Sequence, residues 1–132
     1  QSIYVTDVGA LADAFLATGF PYDRRTAPDN NVERLDYFLR RSQGVRRAGA
    51  AVLDLSYVAC GRFDGFWEIR LHPWDVAAGI LIVREAGGRA TDFHGGPDCI
   101  SGRRIVASNA HIHEQMLQVI REGAAAPLPE PV

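Results

Sequence analysis

Two acidic residues, Glu68 and Asp75, stand close together in the segment WEIRLHPWD, residues 67–75. Glu68 falls in a stretch, RFDGFWEIR, that reads as a strand over 62–70, and Asp75 stands at the start of a long apolar run. Both acids can therefore face the crevice where a strand end meets a helix start, a common ligand site in open α/β folds. A carboxylate bordering a buried helix must cap it, pair with a cation or hold a metal, because an unpaired buried charge is costly. Spacing alone leaves two readings: a ligand-binding pair, or a first-turn acid that complements the helix dipole beside a solvated strand residue. Three features add weight to the first. Trp74 precedes Asp75, and the small residues Ala77, Ala78 and Gly79 come after it, so another backbone or a ligand can come close. In RRAGAAV, 46–52, Gly49, Ala50 and Ala51 bring bare backbone to a second helix start, where amides could meet a phosphate or a sugar hydroxyl. LATGFPYD, 16–23, marks a third strand end.

The remaining candidates carry less. Asp54, Asp64 and Asp92 flank core segments or end a strand and read as turn or cap residues. His72 reads as structural, and His94, His111 and His113 fall in loops or helix starts; HIH is no zinc site without further ligands. The chain has no GxxxxGKS/T phosphate loop, no GxSxG elbow and no CxxC pair, which removes the usual nucleotide, serine-hydrolase and redox readings.

The elements that must position these residues alternate in type. SIYVT, 2–6, reads as a strand, followed by a helical turn that Asp7 can cap, and FLATGF, 15–20, as a second strand. YDRRTAPDNN is a polar loop. Val32, Leu35, Phe38 and Leu39 recur at helical spacing, with Arg34, Asp36, Arg40 and Arg41 on the other face, predicting a surface helix. GAAVLDLSYVACG predicts a helix apolar on nearly all faces, hence buried, and the run from Pro73 or Trp74 to Ala86 predicts another, stopped by Gly87 and Gly88. RATDF and RRIVASN read as strands, and 110–122 as a final helix. The expected architecture is a layered α/β domain over 1–123, a mixed or parallel sheet flanked by helices, with a flexible proline-rich tail at 124–132. The two apolar helices belong at its centre, or at a junction with something outside these residues.

At 132 residues and 47% hydrophobic, the chain has the size of one domain and buries roughly two thirds of its unfolded surface. Its net charge of −2 gives no reason to expect nucleic acid or an anionic membrane as partner, and the arginine pairs are dispersed. No apolar run approaches the length of a membrane span, and QSIYVTDVGA lacks the pattern of a secretory signal, so a cytoplasmic setting is the expectation. Cys60 and Cys99 read as two thiols.

The segment GAAVLDLSYVACGRFDGFWEIRLHPWDVAAGILIVREAGG, 49–88, resembles the C-terminal signature of the inositol monophosphatase family, whose WDxAAGxLIVxEAGG pattern is matched from Trp74 to Gly88. LATGFPYD and RRIVASNAHIHEQML are similar to that family too. The resemblance implies a magnesium-dependent phosphomonoesterase, usually a homodimer, acting on an inositol or sugar phosphate. It makes Asp75 a ligand of Mg²⁺, makes Glu68 the acceptor of a substrate hydroxyl, and sets Gly49, Ala50 and Ala51 against the sugar or inositol ring. The glutamate and the DPxDGT segment with which the family supplies most metal ligands and positions the attacking water are absent from this sequence. The resemblance therefore implies a C-terminal half that holds none of the water-activating residues, lacks its N-terminal half and is inactive alone. Fructose bisphosphatases and nucleotide bisphosphate phosphatases of the same superfamily, and a non-catalytic interaction module, are the competing readings.

Overall fold

Alternation along one strand sets the layering. In strand β3, Gly65–Ile69, Phe66 points to one side of the sheet while Trp67 and Ile69 point to the other, each joining a separate hydrophobic core. The computed structural model describes residues 2–20, 31–100 and 103–125. In chain order its elements are β1 (Phe15–Thr18), α1 (Val32–Arg41), β2 (Gly44–Arg46), α2 (Ala51–Ala59), β3, α3 (Pro73–Glu85), β4 (Arg89–Thr91), β5 (Arg104–Ser108) and α4 (His113–Ala125). The strands form one mixed sheet in the order β2-β1-β3-β5-β4. β1 pairs in parallel with β2 and with β3, while β5 runs antiparallel to β3 and β4.

Helices cover both faces. Leu55 and Val58 of α2 and Val76, Ile80 and Val83 of α3 pack with Ala17, Phe66 and Ile105 on one side. Phe38 of α1 and Met116, Leu117 and Ile120 of α4 pack with Leu16, Trp67 and Val106 on the other. The layered α/β expectation is met. Among the described residues no helix is long and apolar enough to cross a membrane, and both cysteines are free thiols.

The buried Asn31 ties the second core to the strand ends. Its amide donates to Thr18 Oγ1 at 2.9 Å and to the Gly19 carbonyl at 2.8 Å, and its oxygen accepts from Trp67 Nε1 at 2.7 Å. Trp67 also stacks on Phe38 with ring centroids 4.1 Å apart. The side-chain polar atoms of Trp67 and Asn31 that burial takes from water thus find partners, as buried polar groups require.

Several expectations need correction. Residues 2–6 form no strand; the segment crosses the end of α3 with Val5 N–H donating to the Ala86 carbonyl, and Thr6 Oγ1 donates to Asp64. The turn after Asp7 is a short 3-10 helix, Leu11–Asp13, that begins at Ala10 without a side-chain cap. Strand β2 carries only three residues, too few to show a period. In α1 the buried stripe runs through Arg34 and Phe38, while Val32 and Leu39 are exposed. Arg34 lies there because its guanidinium stacks over the Phe93 ring, 5.0 Å from the centroid, and its stem covers apolar surface. The α2 helix is buried on one face only: Val52 and Leu53 are exposed, as are Trp74 and Leu81 of α3. Residues 21–30, which hold most of the polar loop, and 126–132, which hold most of the tail, lie outside the described residues.

Two consequences can be measured. Gly79 is where α3 meets α2 most closely: a Cβ there would lie 2.5 Å from Leu55 Cδ1 and 2.7 Å from Leu55 Cβ. Gly79→Ala should therefore lower stability by about 1–3 kcal/mol in urea unfolding, against the ordinary helix-propensity gain of about 1 kcal/mol. An unchanged or higher midpoint would contradict that packing.

His113, fully buried, bonds Thr91 Oγ1 through Nε2 and Ser108 Oγ through Nδ1, each at 2.8 Å. Thr91 gives its own proton to the Asp92 carbonyl, so Nε2 is the protonated nitrogen and Nδ1 accepts. Burial, then the Arg89 charge, lowers the imidazole from 6.5 to about 4. A folded value below the unfolded one gives stability that is present above pH 6.5 and lost as pH falls toward 4. The stability gap between the wild type and His113→Gln should accordingly narrow over that window in urea titrations. A gap independent of pH would contradict it.

Candidate functional site

The carboxyl ends of β1 and β3 and the amino ends of α2 and α3 enclose a cleft of about 660 Å³. All five residues singled out in the sequence, Gly49, Ala50, Ala51, Glu68 and Asp75, line it. Alternation explains Glu68: it shares the side of β3 that carries Phe66, the α2–α3 side, while Trp67 and Ile69 hold the opposite core. Gly19, at the end of the neighbouring strand, makes the room. A Cβ built there would overlap the Glu68 carboxyl at Oε1. The third transition expected at this cleft thus contributes through Thr18, Gly19 and Phe20, while Pro21, Tyr22 and Asp23 lie outside the described residues.

Asp75 is in the first turn of α3, behind Pro73 at the first helical position. Its Oδ2 accepts from the His72 N–H at 3.2 Å and its own N–H donates to the His72 carbonyl at 2.9 Å. The cap occupies one carboxylate oxygen, so capping and ligand binding are compatible roles for this side chain. His72 lines the cleft but lies flat on Trp74, with ring centroids 4.4 Å apart and planes 6° apart, which makes it a packing partner of the helix start.

Asp54 is a correction: the sequence reads it as a turn or cap residue, and the structure sets it in the cleft wall. Its residue is 2% exposed, and Oδ1 has no hydrogen-bond partner among the described residues. Burial pushes its carboxyl from 3.8 up to about 7, against a hydrogen bond from the Ala48 N–H that favours the ionised form. Glu68 is also pushed up to about 7, first by burial, then by the negative charges of Asp54 and Asp75, with Arg47 opposing. The signal in the sequence is a charge on the same stripe of α2 as Val58, a stripe that buries.

The other two acids weighed in the sequence are structural. Asp64 accepts from the Phe15 N–H at 2.7 Å and from Thr6, and Asp92 closes a turn by accepting from His94 and Gly96 N–H, each at 2.8 Å. Among the described residues no group of three or more His, Cys, Asp and Glu side chains could hold a metal ion. Asp75 therefore offers a hard oxygen donor of the kind Mg²⁺ takes, but not a complete set of six.

The sequence profile of the inositol monophosphatase family matches residues 1–125. This chain belongs to the inositol monophosphatase family. It is 46% identical over 120 residues to an inositol-1-monophosphatase of Synechocystis sp., covering 91% of this chain and 42% of that protein. It is 49% identical over 120 residues to a putative Nus factor SuhB of Neisseria meningitidis serogroup B, covering 91% of this chain and 46% of that one. Among solved structures, an inositol monophosphatase from Anabaena (Nostoc) sp. superposes with a TM-score of 0.90 at 44% identity, covering 96% of this chain and 49% of the other. The chain thus spans less than half the length of these inositol monophosphatase family relatives.

The charge of Asp54 has a measurable sign. Its folded value lies above its unfolded one, so its favourable contribution is present below pH 3.8 and lost as pH rises through about 7. Asp54→Asn should gain stability relative to wild type as pH rises from 4 to 8, read by urea midpoints. A variant equally weakened at both ends of that range would show that Asp54 is ionised and well paired in the folded chain.

Proposed function

We propose that this chain is the C-terminal half of a Mg²⁺-dependent phosphomonoesterase that hydrolyses inositol monophosphate or a related sugar phosphate. The observation that carries the reading is the convergence of Asp75, Glu68 and the Gly49–Ala51 backbone on one cleft at two helix starts. Each supplies a different part of the chemistry. Asp75 contributes one oxygen to the ion. Glu68 accepts a ring hydroxyl, and bare backbone at Gly49, Ala50 and Ala51 lets the ring approach without side-chain obstruction. The partial positive charge of the two helix starts favours the phosphate. Mg²⁺, when bound, lowers the pKa of water and offsets phosphate charge.

The remaining oxygen donors and the residues that position water belong to the N-terminal half. The exposed apolar residues Val52, Leu53, Trp74 and Leu81 on α2 and α3 support a covering layer there. Assembly as a homodimer belongs to the same reading.

Mixed with Mg²⁺ and myo-inositol 1-phosphate, this chain alone should release no phosphate, and addition of the N-terminal half should restore turnover. Robust release by the isolated chain would contradict the division of labour. In the completed enzyme, Asp75→Asn should weaken Mg²⁺ binding by about tenfold or more with the circular dichroism unchanged. Unchanged affinity and rate would return Asp75 to capping alone. Side-by-side rates on inositol 1-phosphate, fructose 1,6-bisphosphate and adenosine 3′,5′-bisphosphate separate the related phosphatase activities. A second reading, a non-catalytic interaction module, is supported by relatives named Nus factor rather than phosphatase. It predicts no turnover even with the N-terminal half present.

A further inference from the structure

The antiparallel ladder between β3 and β5 ends with Ile69 opposite Arg104. The residues that would form the next pair, Arg70 and Arg103, both turn away in left-handed backbone, with φ of 57° and 59°. Neither is glycine, and such backbone persists at a residue with a Cβ only where its surroundings over-determine it. The surroundings include one side chain that bridges the gap. Arg103 donates from Nη2 to the Arg70 carbonyl at 3.2 Å and from Nε to the Leu71 carbonyl at 3.0 Å. Where the backbone ladder stops, the guanidinium takes over its donors.

Immediately beyond those two carbonyls the chain enters α3. His72 N–H donates to Asp75, the His72 ring lies on Trp74, and Pro73 opens the helix. The link from Arg70 to Asp75 is therefore held at its carbonyls by Arg103, at its amide by Asp75 and at its ring by Trp74. A planar fork suits two successive carbonyls; a single ammonium on a flexible stem does not hold both in fixed geometry.

We propose that Arg103 is a positioning residue: it closes the diverging ends of β3 and β5 and so sets where Asp75 presents its carboxylate to the cleft. The part concerning metal affinity rests on the reading of Asp75 as a ligand; the part concerning the link does not. In the 132-residue chain, Arg103→Ala and Arg103→Lys should each speed amide exchange at His72 and Asp75 by about tenfold, leaving Val106, Ala107 and Leu117 protected as before. In the completed enzyme, Arg103→Ala should weaken Mn²⁺ binding by about tenfold, and add no further loss when combined with Asp75→Asn. Unchanged exchange at His72 and Asp75, or an even acceleration across β5 and α4, overturns the inference. Should Asp75→Asn alone leave Mn²⁺ affinity untouched, the metal reading of Asp75 fails, and the exchange rates still decide the role of Arg103.

Discussion

Trp67 is the side chain on which the arrangement depends. It is fully buried, stacked on Phe38 and bonded to Asn31, so β3 cannot rotate or slip without opening the α1–α4 core. Because neighbours on a strand point to opposite faces, locking Trp67 inward locks Glu68 outward, toward α2 and α3. A one-residue slip would drive the Glu68 carboxyl into the core beside Leu16 and Met116 and lift Trp67 into the cleft. The same anchor reaches the neighbouring strand: Asn31 bonds Thr18 and the Gly19 carbonyl, and Gly19 is the residue whose missing side chain leaves room for Glu68.

The electrostatics of the cleft come from that geometry. Three acids approach it from three elements, Asp54 from α2, Glu68 from β3 and Asp75 from α3, while Arg47 and Arg103 reach it from the flanking loops. Burial disfavours the ionised form of both Asp54 and Glu68, and at Glu68 the negative charges of Asp54 and Asp75 add to it, so both carboxyls hold their protons up to about 7. A cation or a set of hydroxyl donors entering the cleft would offset that cost. A second anion alone would not.

Short-range rules govern the features that the sequence discloses. Pro73 and the Gly87–Gly88 pair punctuate α3, and the spacing from Glu68 to Asp75 spans one turn and one helix start, so those boundaries and that pair are legible. Gly49–Ala51 is legible for the same reason, as bare backbone before an apolar helix. Gly19 and Arg103 are not, because tertiary packing sets the role of each, Gly19 by Glu68 and Arg103 by Arg70 and Leu71; Asp54 is legible only as a charge on a stripe that buries, and its place in the cleft wall is not. SIYVT has strand-like composition, yet the sheet already ends at β2 and β4, and the segment spends its polar groups on Asp64, Ala86 and the neighbourhood of Asn109 instead. Arg34 misleads in the opposite sense, since a charged residue can bury its stem against Phe93.

Among the described residues the cleft lacks a complete metal site, and the inositol monophosphatase relatives are about twice as long as this chain. The decisive measurement is the anomalous scattering of Mn²⁺ in crystals of the completed enzyme. Density for an ion bonded to Oδ1 of Asp75, with Oδ2 still on the His72 amide, is the expected result. Ions that bind only at a distance from Asp75, leaving both its oxygens to peptide N–H groups, would remove this residue from the chemistry and the phosphatase mechanism with it.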